Sequence, residues 1–260
     1  MIRGLYSAAS GMNAQQLNLD TIANNLANVN TTGFKRSRAD FEDLLYQTLR
    51  MPGTENADGT QVPTGMQVGM GVRPAAVQKI FTQGDYENTG NELDWAIEGR
   101  GFFKIISNGE ELYTRAGAFK LDRDGFIVTS NGDRLQPEFA VPNGTARITI
   151  DAYGNLVASD QSGAPLASAQ LTLYDFPNPA GLYSVGRNLY RPTEASSDPI
   201  EGNPGTDNFG TISQGFLEQS NVDVVKEMVD MIITQRAYEL NSKAVQTADN
   251  MLGMAGNLKR

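Results

Sequence analysis

At 260 residues and a formal net charge of −9, the chain is long enough for one large or two modest cores and too acidic for a nucleic-acid backbone to be its main partner. It has neither cysteine nor histidine, which removes thiol nucleophiles, imidazole bases, disulfides and the common zinc sites together. No run is long and apolar enough for a membrane span, and Met1-Ile2-Arg3-Gly4-Leu5-Tyr6-Ser7 lacks the apolar stretch of a cleaved signal. A chain exported without cleavage would read the same, so the compartment stays open.

The first element is a helix. Leu5, Met12, Leu19 and Leu26 fall seven residues apart, and Ala8, Ile22 and Val29 form an adjoining row that Gln15 interrupts. Between Leu5 and Asn30 the only charge is Asp20; Asn, Gln, Ser and Thr fill the polar positions. Amides donate and accept, whereas like charges repel across a repeat, so this face suits a helix surrounded by copies of itself. A polar surface helix of low charge is the alternative. Turn formers follow in Asn28-Val29-Asn30-Thr31-Thr32-Gly33, with Gly33 the natural stop. Phe34-Lys35-Arg36-Ser37-Arg38 reads as a solvated basic face, Phe41 to Leu49 as a short amphipathic piece, and the Gly-, Pro-, Thr- and Asn-rich stretch 51–74 as a long loop or extended arm.

After Val72 the pattern turns to short β runs. Gly101 to Ile106, Leu112 to Arg115, Ala118 to Leu121 and Phe126 to Thr129 are punctuated by Asn108-Gly109, Asp124-Gly125 and Asn131-Gly132, the dipeptides that supply the positive φ of tight hairpin turns. Ile148 to Ile150, Leu156 to Ser159 and Gln170 to Phe176 continue the series. Gly99-Arg100-Gly101 is not a dinucleotide loop, because Lys104 stands where the third glycine belongs and no helix pattern follows. Asp122-Arg123-Asp124-Gly125 lacks the spacing of a calcium loop and reads as a turn. Asp94, Glu98 and other carboxylates could converge in space as a pair for glycoside chemistry, but with thirty acidic residues such a pair is weak evidence and no catalytic motif accompanies it. Proline, glycine, serine and aspartate return from Pro192 to Gly210.

The last element is a second helix, bounded by a capping pattern at Ser220 and Asp223 and by Gly253, with Leu217, Val224, Met231, Tyr238, Val245 and Leu252 seven apart. Val222, Val225, Val229 and Ile232 make a second apolar stripe, wider than one partner helix covers. The expected fold is α+β: N- and C-terminal helices paired in a coiled-coil-like manner around an inserted antiparallel β domain. The expected divisions are 1–30 with 221–260 for the helices, 31–90 with 205–220 for a connecting domain bearing the arm, and 91–204 for the β domain. Two helices alone bury too little to offset the cost of ordering them, so they need neighbours.

Asn24-Asn25-Leu26-Ala27-Asn28-Val29-Asn30-Thr31-Thr32-Gly33-Phe34-Lys35 resembles the N-terminal signature of bacterial flagellar rod and hook proteins. The run from Ser220-Asn221-Val222-Asp223 through Gln235-Arg236-Ala237-Tyr238-Glu239-Leu240-Asn241-Ser242-Lys243 resembles their C-terminal one. Gly99-Arg100-Gly101-Phe102-Phe103 and Tyr113-Thr114-Arg115-Ala116-Gly117-Ala118-Phe119 are similar to their central β domain. Overall length and Phe41-Glu42-Asp43-Leu44-Leu45-Tyr46-Gln47 look most like the distal-rod members. The resemblance implies a structural subunit of the distal rod, exported through the flagellum-specific type III route without a cleaved signal. Such subunits polymerise into a rigid helical tube that crosses the periplasm in the basal body and transmits torque to the hook. It further implies as partners other copies of the chain, proximal rod proteins, the hook protein or hook–rod junction, the surrounding P- and L-ring proteins and the export apparatus, with no catalytic, cofactor or metal residues. The expected assembly interface is Leu5, Met12, Leu19, Ile22, Leu26, Val29, Leu217, Val224, Met231, Tyr238, Val245 and Leu252. A proximal rod or hook subunit is the nearest alternative; a secreted wall-binding module or carbohydrate-active enzyme is the alternative of another class.

Overall fold

The computed structural model describes residues 2–53, 64–206 and 208–257. Helix α1 spans Ile2–Ala27, helix α2 spans Val224–Asn257, and the described residues between them form short antiparallel strands, turns and a single 3-10 turn. The fold is α+β. Among the described residues no helix is long and apolar enough to cross a membrane. The chain divides into two units, one of Met1–Leu26, Ser37–Gln78 and Asp223–Arg260, the other of Ala27–Arg36 and Lys79–Val222. The connecting domain expected from 31–90 and 205–220 is thus shared between them.

In the first unit both helix ends differ from expectation. Helix α1 stops at Ala27, six residues before Gly33, where Thr31 donates its amide to Asn28 O at 3.1 Å and the chain turns. Val29 therefore lies outside the helix. Asp223 caps α2: its Oδ1 accepts the amides of Val225 at 3.0 Å and Lys226 at 3.1 Å, satisfying donors that have no partner within the helix. Ser220 precedes this cap, and Leu217 is a strand residue, paired with Glu87 where Phe216–Glu218 meets Tyr86–Asn88. The heptad that runs through Leu217 in the sequence has no continuous helix beneath its first step. At the other end α2 passes through Gly253, a residue that costs a helix about 1 kcal/mol without obliging it to stop.

The segment after α1 is also more regular than expected. Ser37–Asp43 pairs with Val72–Lys79, and Tyr46–Arg50 pairs antiparallel with Met66–Gly69, so the described parts of 51–74 already contain strand. Residues 54–63 of the expected arm lie outside the described residues. Gly71, at φ 112°, presses against α1, where a Cβ would collide with Ser10 Oγ; the next amide, Val72 N, donates to that hydroxyl at 3.3 Å.

The second unit is a β domain. A seven-stranded sheet runs in the order Tyr183–Gly186, Leu189–Arg191, Glu110–Thr114, Phe103–Ser107, Arg134–Gln136, Ile127–Thr129, Phe119–Leu121. The Asn108-Gly109 turn joins its two central strands with φ of 53° and 84°, the left-handed pair that this dipeptide adopts at low cost. The sheet is covered on both faces. Adjacent residues Leu112 and Tyr113 point to opposite sides. Leu112 joins a core of Trp95, Ile97, Phe103, Ile105 and Phe119, to which the three-stranded sheet of Arg147–Ile150, Asn155–Ser159 and Pro165–Gln170 adds Ile148, Ile150, Leu156 and Ala158. Tyr113 joins Phe102, Tyr174, Phe176, Leu182 and Tyr190. In that second core the rings meet edge to face, as their quadrupoles favour; Tyr113 and Phe176 lie 4.9 Å apart at 86°.

Candidate assembly surfaces

Two polar arrangements and one apolar face stand out from the ordinary packing. The first closes the β domain. Glu218 is completely buried, and its Oε1 accepts from Lys35 Nζ at 2.6 Å and from the Gly84 amide at 3.1 Å, while Oε2 accepts from Arg115 Nε at 3.0 Å. Lys35 Nζ also donates to Thr82 O at 2.7 Å, and Arg115 Nη1 donates to Gly101 O at 2.6 Å and Gly99 O at 2.9 Å. Burial holds the Lys35 pKa below the usual lysine range, against the opposing pull of Glu218. The basic stretch read as a solvated face thus contains a lysine with no exposure at all, because a carboxylate from the other end of the domain meets it. Gly33 donates its amide to Glu218 O at 2.8 Å, so the segments that enter and leave the β domain are tied by backbone and side chain at one point.

The second arrangement lies between α1 and α2. Asn18 Nδ2 donates to Thr234 Oγ1 at 3.1 Å, and Asn25 Nδ2 donates to Glu227 Oε2 at 3.2 Å. Asn25 also grips the backbone of Ser37, accepting its amide and donating to its carbonyl, each at 2.8 Å. Gly11 faces Asn241 closely enough that a Cβ on the glycine would stand 2.9 Å from Asn241 Nδ2. These contacts step backward along α2 as they step forward along α1, which makes the helices antiparallel.

The apolar residues expected at this seam are distributed differently. Ile22 is buried and Ala8 with it, but Leu5, Met12, Leu19 and Leu26 are half-buried. The row that accompanies Ala8 and Ile22 is Gly11, Asn18 and Asn25, one residue earlier than the leucine row and so about 100° around the helix. On α2, Met231 and Val245 are half-buried, whereas Val224, Tyr238 and Leu252 are exposed. Leu19 and Tyr238 line a common open groove of about 430 Å³ together with Gln15, Gln16, Asp20, Gln235 and Glu239. Val29 and Leu217, both outside the helices, are half-buried. The amides read as facing other copies are partly spent within the chain, at Asn18 and Asn25.

The apolar face is the outer side of α2. Val225 is 72% exposed, Ile233 61%, Ile232 57%, Met228 52% and Val229 50%. Of the second stripe read from the sequence, Val225, Val229 and Ile232 lie on this face, whereas Val222 precedes α2 and is buried. What the sequence does not single out are Lys35, Arg115 and Glu218, which are far apart in the chain, and the pairs Asn18 and Asn25 on α1 and Glu227 and Thr234 on α2, each seven residues apart but masked by stronger apolar rows. Among the described residues no group of three or more His, Cys, Asp or Glu could hold a metal ion.

Residues 5–35 match the family model described as flagella basal body rod protein, residues 96–158 that of the flagellar hook protein FlgE/F/G D1 domain, and residues 213–258 that of the flagellar basal body rod FlgEFG protein C-terminal region. The chain is 51% identical to the flagellar basal-body rod protein FlgG of Borreliella burgdorferi, with 100% of each chain covered. It is 48% identical to the protein of that name from Agrobacterium fabrum, covering 99% of this chain and 100% of that one. The corresponding protein of Bacillus subtilis is 39% identical with 100% of both covered.

Proposed function

The chain belongs to the flagellar basal-body rod protein family, and from that premise we propose that it builds the distal rod by polymerising into a stiff tube that carries motor torque to the hook. It is a structural rod subunit and not an enzyme. In this reading α1 and α2 pair as one coiled-coil-like unit, the polymer crosses the periplasm, and the subunit leaves the cell interior through the flagellar export apparatus. Its neighbours are further copies, proximal rod proteins, the hook or hook–rod junction and the P- and L-rings.

The observation that carries the reading is the exposed stripe Val225, Met228, Val229, Ile232 and Ile233 on a helix whose opposite side already meets α1. A contiguous apolar helix face is costly to leave in water, and covering each of these side chains gains about 1 kcal/mol, repeated in every copy of a polymer. Leu45, 89% exposed, and Met51, 65%, flank the strand Tyr46–Arg50 and are further exposed apolar side chains on the segment that follows α1. Bending a tube held at several such places strains many packed contacts at once, which is the origin of stiffness.

Val225→Asp with Ile232→Asp tests the proposal. The exposed sites predict a soluble chain whose unfolding free energy changes by no more than about 0.5 kcal/mol per substitution, the range of ordinary surface changes, but which forms no tubes by electron microscopy and sedimentation. Tubes of normal length from the double variant would reject this face as the interface.

A further inference from the structure

We propose that the polar contacts between α1 and α2, centred on Asn25 and Glu227, are the register lock of the helix pair, and that the apolar heptads do not set its alignment. The inference deepens the rod reading and rests on it only for its consequence in the polymer. Apolar rows at constant spacing are degenerate: sliding α1 by seven residues puts Leu19 where Leu26 was and Met12 where Leu19 was, with little change in what is buried. The close approach at Gly11 and the two hydrogen bonds are not degenerate. Gly11 meets Asn241, Asn18 meets Thr234 and Asn25 meets Glu227, each seven residues on along one helix and seven back along the other.

Those contacts are different chemical pairs. A slip of seven in one direction sets Asn25 against Thr234 and leaves Glu227 beyond the end of α1; a slip in the other sets Asn18 against Glu227 and deprives Asn25 of it. Glu227 and Asn25 are each 1% exposed, so a partner lost there is not replaced by water. Asn25 is fixed a second time by its two bonds to the Ser37 backbone, which anchor it to the strand that follows α1. Only the observed alignment satisfies all of these together. A polar group at a helix seam is the best-attested way to specify register at some expense in stability. For a polymer the consequence is that every subunit presents its outer apolar stripe at the same height along the axis.

Because the chain has no cysteine, register can be read by paired thiols. Gly11→Cys with Asn241→Cys reports the observed alignment, and Gly4→Cys with Asn241→Cys reports the alignment one heptad away; both leave the Asn18–Thr234 and Asn25–Glu227 contacts in place. With a short bis-maleimide, which adds both thiols without an oxidant, on soluble full-length chain, the first pair is expected to close within one molecule roughly tenfold more readily than the second. The four substitutions Asn18→Leu, Asn25→Leu, Glu227→Leu and Thr234→Leu are then added to both. An apolar seam keeps the helices together, so the second pair should rise to within about threefold of the first. A second pair that stays low with the leucine seam overturns the proposal, as does loss of closure in both pairs, or a first pair that fails with the polar contacts intact. Each readout is intramolecular in a monomer, so a failure here is distinct from a failure to form tubes.

Discussion

Glu218→Gln strikes the ionic cluster of the β domain at its centre, and its cost should exceed that of removing Lys35. The carboxylate is fully buried between two cations and accepts three hydrogen bonds, from Lys35, Arg115 and the Gly84 amide. Neutralising it leaves two buried positive charges facing each other through an amide that can serve only one of them as an acceptor. Breaking a buried ion pair from one side costs about 3–5 kcal/mol, and the carbonyl acceptors that remain, Thr82 O for Lys35 and Gly99 O and Gly101 O for Arg115, keep the loss inside that range. Lys35→Met removes a cation whose charge is disfavoured by burial and leaves an intact Arg115–Glu218 pair at 3.0 Å, for a loss of about 1–2 kcal/mol. For a domain of this size the two changes correspond to drops in melting temperature of roughly 6–20 °C and 2–8 °C. Thermal and urea unfolding followed by near-ultraviolet circular dichroism of the buried tyrosines measures both. An equal or smaller loss for Glu218→Gln would refute the view that one anion holds two cations in this core.

Tyr113 and Tyr190, which are almost without exposure, have their pKa pushed above the ordinary 10.0 by burial. A group whose folded pKa is raised lends stability that is complete below its unfolded pKa and is lost as pH climbs toward the folded value, so the β domain should begin to weaken above pH 10. Lys35, with a depressed pKa, acts in the opposite sense up to 10.5. Absorbance titration at the phenolate band alongside melting temperature checks this; full ionisation near pH 10 without unfolding would contradict it. Gly117→Ala should prevent folding of the β domain or cost it more than about 4 kcal/mol, because a Cβ there would overlap the Trp95 carbonyl oxygen, and a normal unfolding midpoint would show that the backbone can yield. Deleting the segment between Arg50 and Met66 should give tubes that bend, visible by electron microscopy; straight tubes would remove the arm from the account of stiffness.

The β domain was legible in the sequence to the extent that turns carry their own signal. Asn108-Gly109, Asp124-Gly125 and Asn131-Gly132 all mark turns in the structure, with Gly125 at φ 81° and Gly132 at φ 89°. Strand Pro165–Gln170 was not legible, since Pro-Leu-Ala-Ser-Ala-Gln has no β-branched residue and alternates only through the small side chains Ala167 and Ala169, and it forms because its neighbour Asn155–Ser159 offers a partner. The two helices were plain from their periodicity, but not their limits. Asp223 caps α2 where Ser220 was expected to, and Asn28 turns the chain before Gly33, both being choices among nearby residues able to cap or turn a chain that only three-dimensional partners decide. The ionic cluster was invisible for a different reason: Lys35, Arg115 and Glu218 come together across more than a hundred residues, and each alone is an ordinary surface residue type.

The misplaced helix seam has a physical explanation that links fold to assembly. A heptad search rewards the most apolar rows, on the premise that these are buried within one chain. In a subunit that finishes its burial only in a polymer, the premise fails, because part of the apolar surface must remain outside to meet the next copy. The contact within the chain then has to be made from what is left, and here that is Gly11, Asn18 and Asn25 against Asn241, Thr234 and Glu227. Such a contact is weaker than an apolar one and more exacting in alignment. Where such a contact fixes one register, as proposed above, the surface offered to each incoming copy is already aligned before it binds.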